Sequence, residues 1–361
     1  MNMSLLHVSD ERVNSLARIV YDKHFELDPK LDVEYDDRRK RLMYEDILYN
    51  LSYLDTAMKF NDDKIFSDYA VWLYQLLCNL MKNLERERIK EHMVLHYQIL
   101  HNVLQETLPE EEAQKASHHI RNAIEATENE AIQFQVSERF ASGRYGPIKK
   151  EYLHCILNND TKGALRVIAD AEKSGIPIDD ICVEILQEVM CEIGNLWHQD
   201  KIKVDKEHYC TAVTQVALAQ FHPTIFSKPR NGYTILTCCV GSELHEMGIR
   251  MVSDVFENNG WDSIYLGAAV PANAILNCIE ENSPDLVALS VTMPQHLTLC
   301  FEIVNEIRKK YQDIKIAVGG RAFQTTNELW KQWDVDIAAD NAVQLVLWAD
   351  EHIVKKMRGS S

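Results

Sequence analysis

No glycine occurs in the first 140 residues of this 361-residue chain, and proline occurs there only at Pro29 and Pro109. Because glycine and proline are the residues that most often interrupt helices, such a stretch favours long, uninterrupted helices. Apolar residues between positions 65 and 104 recur at helical spacing and form wide apolar faces. A bundle of four or five helices buries faces of this kind, so residues 1–140 are predicted to be entirely helical.

The pattern changes twice further along the chain. Breaks rich in glycine and proline at 141–147 and 228–232 flank a second helical stretch, residues 148–227, which is predicted to be a separate bundle. Residues 232–357 then alternate amphipathic helices with short apolar runs of strand length, which are Tyr233–Val240, Ser263–Leu266, Leu286–Val291 and Ile314–Val318. This alternation predicts an α/β domain with a parallel sheet, whose ligands lie at the carboxyl ends of the strands.

Charge and composition exclude several classes of partner. Asp and Glu outnumber Lys and Arg by 55 to 38, giving a net charge of −17. Nucleic acids and anionic membranes are bound by clustered Lys and Arg, so neither partner is expected. No apolar stretch approaches the roughly 18 residues of a membrane span, and the N-terminus lacks a signal-peptide profile. Nine cysteines without a C-x-x-C pair fit reduced thiols, and together these features predict a cytoplasmic protein.

The loop after the first predicted strand, Gly241–Gly248, carries a candidate ligand histidine. His245 can offer a neutral imidazole to a metal while Glu243 holds the other ring nitrogen through a hydrogen bond. One histidine does not make a metal cage, so such a metal has to bring its own equatorial ligands. The alternative interpretation is an ordinary histidine at a helix N-terminus.

A second candidate pair lies in the helical stretch before the α/β domain. Trp197-His198 ends one predicted helix, and Glu207-His208 begins the next. Trp197 continues a helical row of apolar residues, which is also typical of a core tryptophan. Glutamate in a first helical turn is favoured by the helix dipole, so neither half of this pattern is specific by itself.

Glycine and hydroxyl residues follow the other predicted strands, at Gly267, Ser290, Thr292, Gly319 and Gly320. Glycines after strands let a backbone approach a bulky ligand closely, although ordinary turns explain each of them singly. Neither a G-x-G-x-x-G fingerprint nor a P-loop is present, so nucleotide binding of those types is not expected.

Together these motifs resemble the Rossmann-like cobalamin-binding domain of corrinoid proteins. The matching pattern is Glu243-x-His245-x-x-Gly248, followed by Gly267, Ser290-x-Thr292 and Gly319-Gly320. The resemblance implies that His245 is the lower axial ligand of cobalt. It also implies that Ser290 and Thr292 contact the displaced nucleotide tail of the cofactor, and that Gly319 and Gly320 give the tail clearance.

The helical stretch 148–227 resembles the four-helix cap that covers the upper corrin face in this family. Trp197, nine residues, then Glu207-His208 matches the Trp-x9-Glu-His pattern of the adenosylcobalamin photoreceptors typified by the light-dependent carotenoid repressor CarH. The resemblance implies that Trp197, Glu207 and His208 contact the adenosyl group. It further implies that green light breaks the cobalt–carbon bond and that His198 then binds the vacant upper position.

The resemblance predicts a light sensor without enzymatic output, in which photolysis changes the packing of the cap and an interface with a second copy or a protein partner. One alternative is a corrinoid carrier for methyl transfer, although such carriers more often have Asp at position 243 and lack the tryptophan pattern. A light-independent B12 sensor is another. The repressors carry a winged-helix DNA-binding domain, whereas residues 1–140 show no recognition helix and no basic face.

The role of residues 1–140 stays open between two interpretations. A dimerisation or partner-docking bundle is the favoured one, with solvated surface histidines and core aromatic residues. The other is a ligand pocket, because photocobilins, which are relatives of the photoreceptors, combine the B12 module with a bilin such as biliverdin. A metal or haem site is a further alternative. The residues concerned are His92, His96, His101, His118, His119, Tyr69, Trp72, Tyr74 and Tyr97.

Overall fold

The computed structural model describes residues 11–130, 140 and 143–354. The chain forms two compact units. One comprises Met1–Ile132 together with Gln324–Leu329, and the other comprises Gln133–Phe323 together with Trp330–Ser361. The first two residues of the predicted linker, Ala141 and Ser142, lie outside the described residues.

The first unit is helical, as predicted from its lack of glycine. Asp36 and Asp62 cap the two helices that follow them, since their carboxylates accept hydrogen bonds from backbone N–H groups of the first turn. Asp62 is buried and also accepts hydrogen bonds from the backbone nitrogen and side-chain amide of Asn327, at 2.7 and 3.0 Å. The helices are α1 Glu11–Leu27, α2 Leu31–Glu34, α3 Asp37–Phe60, α4 Asp63–Leu80, α5 Arg86–Thr107 and α6 Glu110–Asn129.

The histidines of this unit differ from the solvated surface residues that the sequence favoured. His92 is exposed as expected, but the side chain of His119 is only 1% exposed, and its Nδ1 lies 2.9 Å from the carboxylate of Asp63. His96 stacks on His24, with ring nitrogens 2.9 Å apart. The prediction fails for His96 and His119 because spacing along one helix does not show which neighbouring helix covers it.

The second unit begins with the predicted cap, a bundle of four main helices. The third of these continues from a short α-helical turn, Ile178–Asp180, and a π-helical segment, Ile181–Leu186. Trp197 and His198 are the last two residues of that helix, and Glu207 lies in the first turn of the next. The cap helices are α7 Gly146–Leu157, α8 Thr161–Lys173, α9 Gln187–His198, α10 Val204–Ala219 and the short α11 His222–Ile225.

The rest of the second unit is a parallel five-stranded sheet in the order β2-β1-β3-β4-β5, as in a Rossmann-like fold. The four predicted strands are present, and a fifth was missed, because it is only three half-buried residues long. The strands are β1 Thr234–Val240, β2 Asp262–Val270, β3 Leu286–Ser290, β4 Lys315–Gly319 and β5 Ile337–Ala339. The helices are α12 Met247–Asn258, α13 Ala272–Asn282, α14 Leu297–Lys310 and α15 Ala342–Ala349.

Helix α12 is buried by both the cap and the sheet. It contacts β1 and β2 on one side and helices α10 and α11 on the other, and cap and sheet share one continuous hydrophobic core. Met251, Val255 and Phe256 are buried in that core. Since α12 begins two residues after His245, it joins the candidate ligand loop directly to the base of the cap. No helix in the described part of the chain is long and apolar enough to cross a membrane.

Candidate functional site

The loop between β1 and α12 presents His245 at the carboxyl edge of the sheet. Its side chain is 60% exposed, and its Nδ1 is hydrogen-bonded to the Oε1 of the buried Glu243. Its Nε2 has no hydrogen-bond partner among the described residues. A carboxylate on one ring nitrogen fixes the tautomer and orients the other nitrogen toward a ligand, which is the arrangement of metal-binding histidines.

Glu243 is held as a carboxylate by a dense set of donors. Burial by itself would raise its pKa, but hydrogen bonds from His245 and from the backbone of Met293 outweigh burial and lower the pKa to about 2. The same hydrogen bond raises the pKa of His245, against a smaller lowering by burial. The fixed carboxylate of Glu243 thus accepts a hydrogen bond from the imidazole of His245 and makes it more basic. A more basic imidazole is a stronger metal ligand.

Two further charges lie close enough to act on His245. Glu207 of cap helix α10 raises the pKa of His245, and Arg321, just after β4, lowers it. The Glu207 carboxylate also accepts a hydrogen bond from Thr211 at 3.0 Å and lies 3.2 Å from the Nδ1 of His208. The fold thus places one member of the predicted cap pattern near the predicted ligand histidine, although 38 positions separate them in the chain.

A row of small residues crosses the sheet just below this loop. Cys239, Ser290, Gly319 and Ala339 pair with one another across β1, β3, β4 and β5. Residues at the same register share one face of a sheet, and here that face packs against α12 and α15. Their small side chains leave space at the carboxyl end of the strands, where Ser290 supplies a buried hydroxyl.

Gly320 is required by the turn that closes this row. Its φ is +96°, and a Cβ at this position would lie 2.4 Å from the carbonyl oxygen of Val291. Val291 is bonded to the turn on both sides, through its nitrogen to Gly319 at 3.0 Å and through its oxygen to the nitrogen of Ala322 at 3.1 Å. The resemblance implied that Gly320 lacks a side chain in order to give the nucleotide tail clearance. In the structure a Cβ at Gly320 would clash with Val291, so the turn itself requires glycine here.

Cys239 lies beneath the ligand loop but is not a competing metal ligand. Its Sγ is 3.7 Å from the carbonyl oxygen of His245, and burial raises its pKa to about 12. A thiol with such a pKa stays protonated at neutral pH, whereas metals bind the thiolate. His245 is thus the exposed candidate ligand of this loop.

Family comparisons identify the two parts of this site. Residues 148–221 and residues 233–346 each match a B12 binding domain model. Both segments are similar to B12 binding domains. The ligand loop, Ser290, Thr292 and the Gly319-Gly320 turn all lie in the second segment, and the cap residues lie in the first.

The curated relatives are distant, and each matches over only part of its length. The chain is 24% identical over 155 residues to the HTH-type transcriptional repressor CarA of Myxococcus xanthus, covering 43% of this chain and 51% of CarA. It is 24% identical over 141 residues to the repressor CarH of the same organism, covering 38% and 46%. It is 23% identical over 174 residues to methionine synthase of Mycobacterium leprae (strain TN), covering 43% and 14%. The matches span about half or less of each relative's length.

A solved structure shares the fold of the B12-binding segments. The monomethylamine corrinoid protein of Methanosarcina barkeri superposes with a TM-score of 0.51 at 18% identity, covering 57% of this chain and 98% of that protein. The likeness confirms the predicted architecture of a helical cap followed by a Rossmann-like sheet. It does not separate a light sensor from a carrier, since identity at this level shows the fold alone.

The residues of the B12-binding segments fit a cobalamin. A planar macrocycle that already supplies the equatorial ligands of its metal needs one imidazole, and His245 offers a free Nε2 oriented by Glu243. A groove for a nucleotide tail needs small side chains, which the row from Cys239 to Ala339 provides. Among the described residues no cluster of three or more metal-binding side chains occurs.

The cap residues take different positions around this cobalamin site. Trp197 and His198 are half-buried at the end of α9, and Glu207 is largely buried in the first turn of α10. His208 is the outlier, with a side chain that is 75% exposed. Gly248 lies in the first turn of α12, and a Cβ there would meet nothing within 4 Å, so it shows no steric need for glycine.

Sequence patterns missed a set of polar contacts beside the cobalamin site. Glu246, next to His245, accepts a hydrogen bond from the amide of Gln215 on α10 at 3.1 Å and another from the Tyr265 hydroxyl at 2.9 Å. Arg250 lies over the ring of Tyr265. His296 is near enough for Glu243 to act on its pKa, which burial lowers. One sequence feature could have indicated these contacts. Glu207, Thr211 and Gln215 follow one another at a spacing of four residues, which places them on one face of α10.

Proposed function

We propose that the chain is an adenosylcobalamin-binding light sensor in which loss of the adenosyl group changes the packing of the cap and, through it, an interface with a second copy or a protein partner. The observation that carries this proposal is the position of Glu207. This residue of the Trp-x9-Glu-His pattern lies close enough to His245 to raise its pKa, which supports one site made from the cap pattern and the ligand loop.

When bound, adenosylcobalamin supplies a light-labile cobalt–carbon bond. His245, oriented by Glu243, would ligate the cobalt, and Ser290, Thr292, Gly267, Gly319 and Gly320 would receive the cofactor around the strand ends. Trp197 and Glu207 would contact the adenosyl group from the cap, with His208 at the exposed rim. His198, at the end of α9, would bind the cobalt once the adenosyl group is lost.

The proposed light signal comes from contacts that the cap makes with the adenosyl group in the dark state and loses after photolysis. A group that occupies space beside α9 and α10 in only one state shifts the balance between two packings of the cap. Because α12 is packed by the cap and begins beside His245, a shift of α10 or α11 also changes the environment of the ligand loop. The proposed output is a change of interface and not a catalysed reaction. The proposed location of the protein is the cytoplasm.

Absorbance spectra and size-exclusion chromatography test the proposal. Protein loaded with adenosylcobalamin in darkness is measured before and after green light, beside the Trp197→Ala variant and a Trp348→Ala control on α15. A light-driven spectral change with a shift in elution volume supports assembly as the output. Trp197→Ala is expected to retain adenosylcobalamin less tightly than the control. A spectrum that stays unchanged in light, or equal retention by the two variants, contradicts the proposal.

The corrinoid carrier is the alternative that the shared fold equally fits. A carrier presents cobalt to partner methyltransferases, and its cobalt cycles between a reduced and a methylated form with the chemistry supplied by the partners. Methylation of the bound cofactor by such a partner, with no response to light, would favour this function. A light-independent B12 sensor would show binding without either behaviour.

A second chromophore in the helical unit is also proposed, with a bilin such as biliverdin as the ligand. Its support is a group of packed rings with unpaired polar atoms. Tyr53 and Tyr69 stack at 3.9 Å between ring centroids, and Phe66 contacts Tyr97 at 5.7 Å. Within the described residues, the buried Tyr97 hydroxyl and the Nε2 of His96 have no hydrogen-bond partner. Unpaired buried polar groups are costly, and a ligand with N–H and C=O groups would satisfy them.

Titration with biliverdin tests this second proposal. Binding is expected to produce a visible absorbance band, and Tyr97→Phe is expected to weaken binding or move the band. Tyr74→Phe is the matched control, since the Tyr74 hydroxyl lies 3.5 Å from the carbonyl oxygen of Arg86. An absence of binding, or an equal effect of both variants, counts against a bilin and leaves the dimerisation or docking bundle.

A further inference from the structure

Glu243 accepts hydrogen bonds from two separate loops. Its Oε1 accepts from the ring of His245 and from the backbone nitrogens of Leu244 and His245, both at 3.1 Å. Its Oε2 accepts from the backbone nitrogens of Thr292 and Met293, at 3.0 and 2.9 Å. The side chain is 1% exposed, so these five donors replace water for a buried charge.

The second of these loops is itself fixed to the strand ends. Ser290 ends β3, and Thr292 and Met293 lie just beyond it. Val291, between Ser290 and Thr292, is hydrogen-bonded through both its nitrogen and its oxygen to the turn after β4. The main-chain oxygen of Glu243 also accepts from the nitrogen of Ala269 at the end of β2, at 2.9 Å. Glu243 is thus bonded directly to the end of β2 and to the loop after β3, and that loop is bonded to the turn after β4.

The length of a glutamate is needed to serve both loops. Aspartate is shorter by one C–C bond, about 1.5 Å. Hydrogen bonds of 2.9–3.1 Å do not survive a displacement of that size. A shorter carboxylate at this position keeps either the His245 side or the Thr292 side, but not both.

We propose that Glu243 couples binding of the cofactor's nucleotide tail at the strand ends to coordination of cobalt by His245. This inference rests on the proposed cobalamin site. The tail is expected to order the loop that follows Ser290. The backbone nitrogens of Thr292 and Met293 in that loop then hold Oε2 of Glu243, which fixes the carboxylate in the position that orients the ring of His245. The coupling is reciprocal, so coordination by His245 also orders the tail-binding loop.

The coupling is measured with two ligands, hydroxocobalamin and cobinamide, which has the same corrin ring and cobalt but lacks the tail. Dissociation constants for both are determined for the natural chain, for Glu243→Asp and for Glu281→Asp. Coordination by a protein imidazole is read separately from the Co(II) EPR signal after reduction, as the change in axial nitrogen splitting between unlabelled and ¹⁵N-labelled protein, because the cofactor's own base also splits this signal. Glu281→Asp is the matched control, because it makes the same substitution at an exposed glutamate of α13 outside the ligand loop.

In the natural chain the tail is expected to tighten binding and to increase the fraction of cobalt coordinated by the protein imidazole. In Glu243→Asp the affinity ratio of hydroxocobalamin to cobinamide is expected to fall about tenfold, within the usual range of coupling between sites. In Glu281→Asp the ratio is expected to stay unchanged. An equal ratio in all three proteins overturns the coupling while leaving the cobalamin site intact. Failure of the natural chain to bind hydroxocobalamin overturns the cobalamin site and the coupling together.

A second measurement needs no variant at Glu243, in case the shorter side chain prevents folding. Hydrogen exchange at the amides of Thr292 and Met293 is compared for the natural chain with and without cobinamide. Although cobinamide has no tail, its coordination by His245 is expected to slow exchange at these two amides. The effect is expected to be lost in His245→Ala. Exchange that does not respond to cobinamide, while EPR shows nitrogen coordination, overturns the inference.

Discussion

The amide of Gln215 donates a hydrogen bond to Glu246, so cap helix α10 is tied to the residue that follows His245. The hydroxyl of Tyr265 on β2 donates to the other oxygen of the same carboxylate. One side chain thus joins the cap, the sheet and the ligand loop. A change in the packing of α10 therefore alters the hydrogen bonding of the loop that carries the proposed cobalt ligand.

Replacement of Glu246 by Ala is expected to lower the free energy of unfolding of the second unit. Gln215 and Tyr265 lose their common acceptor, and two hydrogen bonds to a charged group are worth about 3–6 kcal/mol together before solvent access is discounted. Partial exposure of Glu246 reduces this to about 1–2 kcal/mol. Urea denaturation measures the change, with the exposed Glu281→Ala as the control. Equal loss in both variants would contradict the structural role of Glu246.

Gly320→Ala is expected to destabilise the second unit by roughly 1–3 kcal/mol, because a Cβ at a positive φ would clash with the carbonyl of Val291. Gly194→Ala is the matched control, since Gly194 lies in helix α9 and a Cβ there meets nothing within 4 Å. That control is expected to leave stability unchanged or raise it by up to about 1 kcal/mol. Thermal unfolding of the cofactor-free chain compares them, and equal melting temperatures would refute the steric argument.

Hydroxocobalamin is expected to raise the melting temperature of the second unit, since a ligand at 100 times its Kd adds about 2.7 kcal/mol to stability. His245→Ala is expected to lose most of this shift, because the imidazole holds the cobalt. The exposed His154→Ala in α7 is the control and is expected to keep it. A shift of the same size in His245→Ala would show that the cobalt ligand lies elsewhere.

The stability of the helical unit is expected to fall as pH falls below about 6.5. Burial lowers the pKa of His24 to about 4 and that of His96 to about 3, so both are neutral in the folded chain at pH 5. In the unfolded chain both titrate near 6.5. The unfolded chain therefore binds more protons between about pH 4 and 6.5, and the free energy of unfolding decreases as pH falls through this window.

Denaturation at pH 7.5 and at pH 5 measures this dependence. The natural chain is expected to lose roughly 1–2 kcal/mol more than His96→Gln between the two pH values. His92→Gln, at an exposed position on the same helix, is expected to behave as the natural chain does. If His96→Gln keeps the full pH dependence, the protons are taken up at other groups.

Local patterns were sufficient for most of the fold. The lack of glycine before Gly143 predicted helices, and strand-length apolar runs between helices predicted the parallel sheet. Both succeed because backbone entropy and side-chain periodicity act over a few residues. The strand Ile337–Ala339 was missed because its place at the sheet edge comes from pairing with β4, and its own sequence carries no strand signal.

For the candidate site, the sequence alone indicated the ligand loop, the Ser290-x-Thr292 pattern and the Gly319-Gly320 turn, because motif spacing is a local property of the chain. Tertiary structure decided which groups act on them. Glu243 bonds to Thr292 across 49 positions, and Gln215 reaches Glu246 from another helix. Hydrogen bonds depend on distance and angle in space, and only folding brings groups this far apart in the chain to hydrogen-bonding distance.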